Sequence, residues 1–179
     1  MLLSIFNEIT DRRSPKARQY ELSYILFFTV LAILSGADSY RTVQTFIAEK
    51  LPFLKEEFNL KWRKAPAHTT LRQIILGVEP GELEKAFRKY AKILAKLDPK
   101  KYAFICLDGK SVRGSFDHIK EQRMIQIFSA FLTDKDLILA HEKIDEKSNE
   151  IPMAQKLVKE LNIGKCVFTL DALHCQKKR

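Results

Sequence analysis

Two aspartates, Asp108 and Asp171, stand directly after short apolar segments of this 179-residue sequence. Tyr102–Leu107 precedes the first aspartate and Cys166–Leu170 precedes the second. Segments of this length and composition are typical of buried strands, and the carboxyl end of a strand is a common position for active-site residues in α/β folds. An isolated Asp-Gly, as at Asp108, usually marks only a turn. The repetition of the same design in the second segment favours a functional site.

Two such strands, if parallel and adjacent, would bring Asp108 and Asp171 to the same edge of one sheet. Carboxylates held that close repel each other unless a cation lies between them, and hard oxygen ligands suit Mg²⁺ or Mn²⁺. A pair of these metal ions supports phosphoryl transfer on a nucleic-acid backbone. The two aspartates therefore predict a metal-dependent site that acts on nucleic acid.

Several ordered segments resemble one family of proteins. Residues 107–115 (LDGKSVRGS), 145–152 (DEKSNEIP) and 169–177 (TLDALHCQK) resemble the signature segments of DDE-class insertion-sequence transposases of the H-repeat-associated family. Upstream, residues 35–46 (SGADSYRTVQTF) and 66–74 (PAHTTLRQI) are similar to the N-terminal associated domain of that family. The resemblance implies that Asp108 and Asp171 are the first two catalytic and metal-binding acids, that the cofactor is Mg²⁺ or Mn²⁺, and that the partner is DNA at insertion-sequence ends.

The third acid of the family's triad lies well downstream of the second, whereas no Asp or Glu follows Asp171 here. The resemblance therefore implies a truncated transposase that is inactive alone. Two alternatives remain open. A metal-dependent nuclease would complete its site with Glu150 or with a residue from another chain. A DNA-binding regulatory fragment would instead pair with full-length transposase and inhibit it.

Three cations, Lys110, Arg113 and Lys147, flank the carboxylates in the sequence. Each alone is more often an ordinary surface charge, but together they suit a role in holding the DNA backbone near the metal ions. Glu150 is predicted to open a helix, where the helix dipole favours a carboxylate. An alternative is that Glu150 acts as an accessory acid at the metal site.

The composition, 46% hydrophobic and 30% charged residues, is typical of a soluble globular protein. The formal net charge of +9 suits a polyanionic partner, because Lys and Arg on phosphates release counterions. Three cysteines favour a reducing compartment, so we expect a cytoplasmic protein. The uncharged segment Leu22–Ala37 has only 16 residues, fewer than the roughly 20 that span a membrane. We therefore expect a buried core helix here and no membrane partner.

The order of elements predicts an α+β protein with a boundary after Asp98. Residues 1–98 are expected to form an all-helical, transposase-associated domain, and residues 99–179 a truncated catalytic domain. The second domain should contain three strands, a helix and a final strand: Tyr102–Leu107, Met124–Thr133, Leu137–Ile144, Glu150–Leu161 and Cys166–Leu170. A right-handed crossover would set the last strand beside the first and parallel to it. The resemblance implies that this is the N-terminal half of a ribonuclease-H-like α/β fold.

Three further expectations concern the helical half and the assembly. Leu51–Pro66 is predicted to be a connection, in which Trp62 either stacks on a base or packs into the core. Thr70 and Gln73 form a capping-box pattern that predicts the start of a helix. An exposed sheet edge predicts a poorly soluble or oligomeric chain, and the resemblance adds full-length transposase as a candidate partner.

Overall fold

The computed structural model describes residues 1–98, 100–112, 125–144 and 150–171. It divides into two compact units, Met1–Ala86 and Phe87–Arg179. The division falls inside the helix Pro80–Ala95, whereas the sequence places a domain boundary after Asp98. That boundary stays a prediction about which parts of the chain fold independently.

The first unit is helical. Its helices are α1 (Leu2–Phe6), α2 (Leu22–Leu34), α3 (Tyr40–Phe58), α4 (His68–Leu76) and the beginning of α5 (Pro80–Ala95), with a 3₁₀ turn at Pro15–Ala17. The side chains of Ile25, Phe28, Ile47 and Leu71 have no exposed surface and form the centre of this unit. The expected all-helical character of the N-terminal half is confirmed for these residues.

Helix α2 is the apolar segment that the sequence assigned to a protein core. Pro15–Leu34 is the one segment in the described part of the chain that is long and apolar enough to cross a membrane by length and composition. Ile25 and Phe28 of α2 are nonetheless fully buried inside the helical unit. Burial of these side chains accounts for the apolar composition without a bilayer.

Helix α3 corrects one expectation. Leu51–Pro66 was expected to connect two helices, but α3 continues through Pro52 to Phe58. A proline inside a helix costs about 3 kcal/mol or more. Packing beyond the proline offsets this cost, because Leu54 is buried and the Phe58 ring lies 5.5 Å from that of Phe28.

Trp62 lies in the core of the helical unit. Its side chain is only 3% exposed, and its ring centroid is 5.0 Å from that of Tyr20. The indole N–H donates to Glu21 Oε2 at 2.6 Å, so burial leaves no polar group unpaired. The prediction that Trp62 stacks on a base is therefore wrong, and the alternative prediction that it packs into the core is confirmed.

Helix α4 begins at His68, earlier than the capping-box pattern of Thr70 and Gln73 predicted. The backbone N–H of His68 donates to Gln44 Oε1 at 2.8 Å. A side chain from α3 thus satisfies a donor that a local cap would otherwise satisfy. The helix ends at Leu76, with Gly77 as its C-cap residue.

The second unit contains a mixed four-stranded sheet. Its elements are β1 (Ala103–Ser111), β2 (Gln126–Leu132), β3 (Leu137–Ile144), α6 (Glu150–Leu161) and β4 (Cys166–Thr169), with a 3₁₀ turn at Thr133–Lys135. The strand order is β3-β2-β1-β4, and β4 is parallel to β1 while the other neighbours are antiparallel. The predicted adjacency of the first and last strands is therefore confirmed, as is the α+β class.

Helix α6 packs on one face of this sheet. Leu157 of α6 joins Ile105 of β1 and Phe128 of β2 in a cluster of buried side chains. On the opposite face, Phe104 and Val167 are 47% and 40% exposed. The sheet thus has one buried face and one face that remains largely open among the described residues.

An ion-pair network fixes the edge of the sheet. The Arg88 guanidinium on α5 lies 2.6 Å from Glu142 on β3 and 2.6 Å from Glu160 on α6. Lys156 adds a contact of 3.3 Å to Glu142. The fork of donors on arginine suits this double pairing, and it joins three elements of the second unit.

Candidate metal centre

Asp108 lies inside β1 rather than at its end, which corrects the sequence-based position. β1 continues to Ser111 because its pairing with β2 runs on through Asp108–Ser129 to Ser111–Gln126. The buried residues of β1 alternate with exposed ones, and Asp108 belongs to the exposed set. Its side chain is 55% exposed, on the face opposite α6.

The register of β1 and β4 sets the position of Asp171. Ala103 pairs with Cys166, and Cys106 pairs with Thr169. The sequence separation within each pair equals that between Asp108 and Asp171, so the same register, continued by two residues, would place the two aspartates level. Paired residues on neighbouring strands share a face, so both would then lie on the open face. Asp171 is exposed and directly follows Leu170.

Lys110 also lies on the open face, two residues after Asp108. Its Nζ is 3.6 Å from Asp108 Oδ2, and its side chain is 83% exposed. Solvent-exposed pairs of this kind contribute about 0–1 kcal/mol, so the contact is easily exchanged for another. Lys110 places a positive charge beside the carboxylate; its predicted contact with DNA stays a prediction.

The structure places the other predicted site residues only in part. Arg113 and Lys147 lie outside the described residues. Glu150 begins α6, which confirms that it opens a helix. Its side chain is outside the described part of the structure, so an accessory acidic role stays a prediction.

Ser129 is a neighbour of the site that the sequence analysis did not single out. It pairs directly with Asp108 across the antiparallel β1–β2 ladder and is half-buried. Side chains of such pairs have Cβ atoms about 4.5–5.5 Å apart. The only sequence indication was one hydroxyl residue inside the otherwise apolar run IFSAFL, which alternation places on the open face.

The donor set suits a hard cation that is held weakly. Aspartate oxygens are ligands that Mg²⁺ and Mn²⁺ prefer, and strands in a sheet lie about 4.8 Å apart, so one ion would reach both carboxylates. Within residues 1–98, 100–112, 125–144 and 150–171, no group of three or more His, Cys, Asp or Glu side chains is placed to hold a metal ion. Two carboxylates therefore fit such an ion, with water in its other coordination positions.

Comparison with known proteins agrees with the resemblance noted in the sequence. The family model described as DDE_Tnp_1-associated matches residues 3–91. The chain is 32% identical to Putative transposase YncI of Escherichia coli O157:H7 over 98% of its own length and 44% of that protein. It is 31% identical to H repeat-associated putative transposase YhhI of Escherichia coli K12, over 98% of this chain and 46% of that protein.

A further relative, H repeat-associated putative transposase YbfD of Escherichia coli K12, is 30% identical over 98% of this chain and 68% of that protein. The chain thus spans about half the length of YncI and YhhI and two thirds of YbfD. No solved structure matches the chain at a significant level.

Proposed function

Because this chain belongs to the H repeat-associated family of transposases, we propose that residues 87–179 contribute the metal-binding strands of a DDE-type catalytic core that acts on DNA. The observation that supports this most is the β1–β4 register, which pairs Cys106 with Thr169, each two residues before one of the aspartates. The same register, continued, would bring Asp108 and Asp171 level on the open face of the sheet. A mixed sheet with a parallel β1–β4 pair joined through α6 also suits the ribonuclease-H-like core that the proposal requires.

Asp108 and Asp171 would hold Mg²⁺ or Mn²⁺ in this proposal. The bound ion supplies Lewis-acid stabilisation of the attacking and leaving oxygens at a phosphodiester. In this proposal the sheet would set the separation of the two carboxylates, because Asp108 belongs to β1 and Asp171 lies two residues after the end of β4. The open face leaves room for a duplex, and Lys110, Arg113 and Lys147 are the cations that we assign to its phosphates.

The 179-residue polypeptide alone is expected to bind metal weakly and not to transpose. A two-metal site needs ligands for a second ion, and no Asp or Glu follows Asp171 among these residues. Glu150 is the nearby acid that would substitute if this polypeptide is a nuclease. We place the protein in the cytoplasm, with insertion-sequence ends, full-length transposase or a second copy of the chain as partners.

The distribution of charge supports a second candidate, a DNA-binding fragment that regulates full-length transposase. Residues 1–86 carry 12 Lys and Arg against 10 Asp and Glu, whereas residues 87–179 carry 19 against 12. The excess of positive charge is therefore concentrated in the unit that also contains the carboxylates. Such a unit would bind DNA whether or not it completes a catalytic site.

The test is Mn²⁺-dependent strand cleavage of a duplex that carries an insertion-sequence end. The polypeptide and its variants Asp108→Asn, Asp171→Asn and Glu150→Gln are compared after purification to homogeneity. We expect no cleavage from any of them, together with salt-sensitive binding of the duplex. Cleavage that all three substitutions abolish would support the nuclease alternative. Cleavage that survives Asp108→Asn would contradict the assignment of the metal site.

A further inference from the structure

A basic cavity lies at the end of the second unit's sheet that is remote from the carboxylates. Its volume is about 570 Å³, and it is formed by the end of α5, the beginning of β1 and the turn between α6 and β4. Four lysines from these separate segments line it: Lys92, Lys96, Lys101 and Lys165. Leu97, Ala103 and Leu161 form apolar parts of the wall.

The lysines of this cavity have few compensating charges. Among the described residues, none of the four takes part in an ion pair. Asp98 is the one carboxylate among the described residues of the wall, and it accepts a hydrogen bond of 2.9 Å from the Lys100 backbone N–H. Four like charges around one concave surface create a local positive potential that attracts anions.

Stabilisation of helix ends explains only part of this arrangement. Helices α5 and α6 both end at the cavity, where Lys96 and Asn162 adopt left-handed φ angles of 40° and 45°. Cations near a helix C-terminus are favoured by its dipole, which accounts for Lys92 and Lys96. Lys101 and Lys165 lie instead beside the first residues of β1 and β4, and the dipole gives no reason for lysine there.

The backbone brings Lys101 and Lys165 together. The N–H of Ala103 donates to the carbonyl oxygen of Lys165 at 3.0 Å, so the segments that carry the two lysines run side by side. Residues far apart in the sequence therefore supply positive charge to one place. This convergence distinguishes the cavity from an ordinary solvated row of lysines along one helix.

We propose that this cavity, defined by Lys92, Lys96, Lys101 and Lys165, binds the phosphodiester backbone of duplex DNA. The inference rests on the proposed function only in taking DNA as the partner. Lysine is a flexible point charge that suits phosphates without reading sequence. Since the surface opens to solvent and the lysines come from several segments, it suits an extended polyanion better than one small enclosed anion.

The cavity and the carboxylates lie at different positions along β1. Ala103 lines the cavity, and Asp108 lies five residues further along β1. Five strand residues span about 17 Å, so the cavity and the carboxylates are well separated along the sheet. Ala103 belongs to the buried set of β1 and Asp108 to the exposed set, so the two also lie on opposite faces of the sheet. The cavity would position the DNA and take no part in chemistry.

The test compares two variants with the same change in net charge. The cavity variant replaces Lys92, Lys96, Lys101 and Lys165 by Gln. The control variant replaces Lys16, Lys50, Lys55 and Lys85, all exposed and outside the cavity, by Gln. Affinity for a 20-base-pair duplex is measured by fluorescence anisotropy over a range of salt concentrations. Each phosphate contact contributes about 0.9 to the slope of log affinity against log salt, so we expect the cavity variant to lose about 3 to 4 in slope and the control less than 1.

A variant with only two substitutions controls for misfolding of the four-lysine variant. Lys101→Gln with Lys165→Gln leaves the helix ends unchanged and should lower the slope by about 2. Equal losses in the cavity and control variants would overturn the proposal, because bulk charge would then explain binding. Binding of pyrophosphate by the cavity with an unchanged DNA slope would overturn it too, since the site would be one for a small anion.

The same titrations separate this inference from the proposed function. Asp108→Asn with Asp171→Asn should abolish Mn²⁺ binding and leave the cavity's contribution to the salt slope intact. If substitution of the cavity lysines left the salt slope unchanged while Mn²⁺ still bound, only the proposed DNA contact at the cavity would be contradicted. If Mn²⁺ did not bind while substitution of the cavity lysines still lowered the salt slope, the proposed metal site would be contradicted. The proposed DNA contact at the cavity would stand.

Discussion

Cys106 of β1 pairs with Thr169 of β4, and each stands two residues before one of the aspartates. Among the described residues this pair is the last one between the two strands, so both aspartates come after the parallel ladder in sequence. Asp108 is still held there by its pairing with Ser129 on the other side. Backbone pairing therefore fixes the position of Asp108, whereas Asp171 follows two residues after the last paired residue of β4.

Mn²⁺ binding should depend on both aspartates together. Asp108→Asn or Asp171→Asn is expected to weaken binding about tenfold or more, because each removes one of two charged ligands from a hard cation. Titration of free Mn²⁺ by electron paramagnetic resonance measures this. Asp134→Asn, an exposed aspartate in the turn after β2, is the matched control and should change nothing. Equal affinity in all three variants would exclude the site.

Replacement of Lys110 should raise the affinity for Mn²⁺ and lower the affinity for DNA. Lys110→Gln removes the ammonium that lies 3.6 Å from Asp108, so Mn²⁺ affinity should rise about two- to fivefold, as an exposed pair worth up to about 1 kcal/mol allows. The DNA salt slope should fall by about 0.9 if Lys110 contacts a phosphate. Lys143→Gln, another exposed strand lysine, serves as control. A fall in both affinities for the Lys110 variant would contradict the assigned roles.

Asp11 should make the helical unit's stability depend on pH. A side-chain hydrogen bond from Arg13, at 2.6 Å to 2.8 Å, lowers the pKa of Asp11 below its usual value. Because the pKa of Asp11 is lower in the folded than in the unfolded state, ionised Asp11 stabilises the fold at pH values above its unfolded-state pKa. This contribution is lost as the pH falls through the folded-state pKa of Asp11. Asp11→Asn should therefore cost about 1–2 kcal/mol at pH 7 and much less at pH 3.

Urea denaturation at both pH values checks the Asp11 prediction. Glu57→Gln, an exposed acid at the end of α3, is the control and should have little effect at either pH. A destabilisation by Asp11→Asn that is the same at pH 3 and pH 7 would show that charge on Asp11 plays no part.

The open face should promote self-association. Phe104 and Val167 are neighbours on β1 and β4 and are 47% and 40% exposed, and among described residues no further strand pairs with β4. Exposed apolar patches and strand edges favour contact with another chain. Light scattering should show mass that rises with concentration, and Val167→Lys should reduce it. Lys165→Glu changes a nearby charge without covering the apolar pair, so it should not.

The sequence predicted the parts of the fold that follow from periodicity and chain direction. Glu150–Leu161 has the bounds of α6, and the crossover through it predicted the parallel pairing of β4 with β1. Long-range packing decided what local patterns could not. Pro52 predicted a helix end, but the burial of Leu54 beyond it carries α3 onward.

The position of the site was predictable only in outline. Asp108 was expected at a strand end because the apolar run stops at Leu107. Strand pairing depends on the backbone of β2 rather than on apolar side chains, so β1 extends to Ser111. The basic cavity was invisible in the sequence, since its lysines come from segments that only the fold brings together.

The strand order also bears on when β4 joins the sheet during folding. β1, β2 and β3 are consecutive and form two antiparallel pairs between near segments, whereas β4 reaches β1 only after α6. Loop closure over a longer chain costs more entropy, and contacts between distant segments form more slowly. We therefore expect an early three-stranded intermediate in which Asp108 is in place and Asp171 is not. The two aspartates would then approach each other only when β4 docks beside β1.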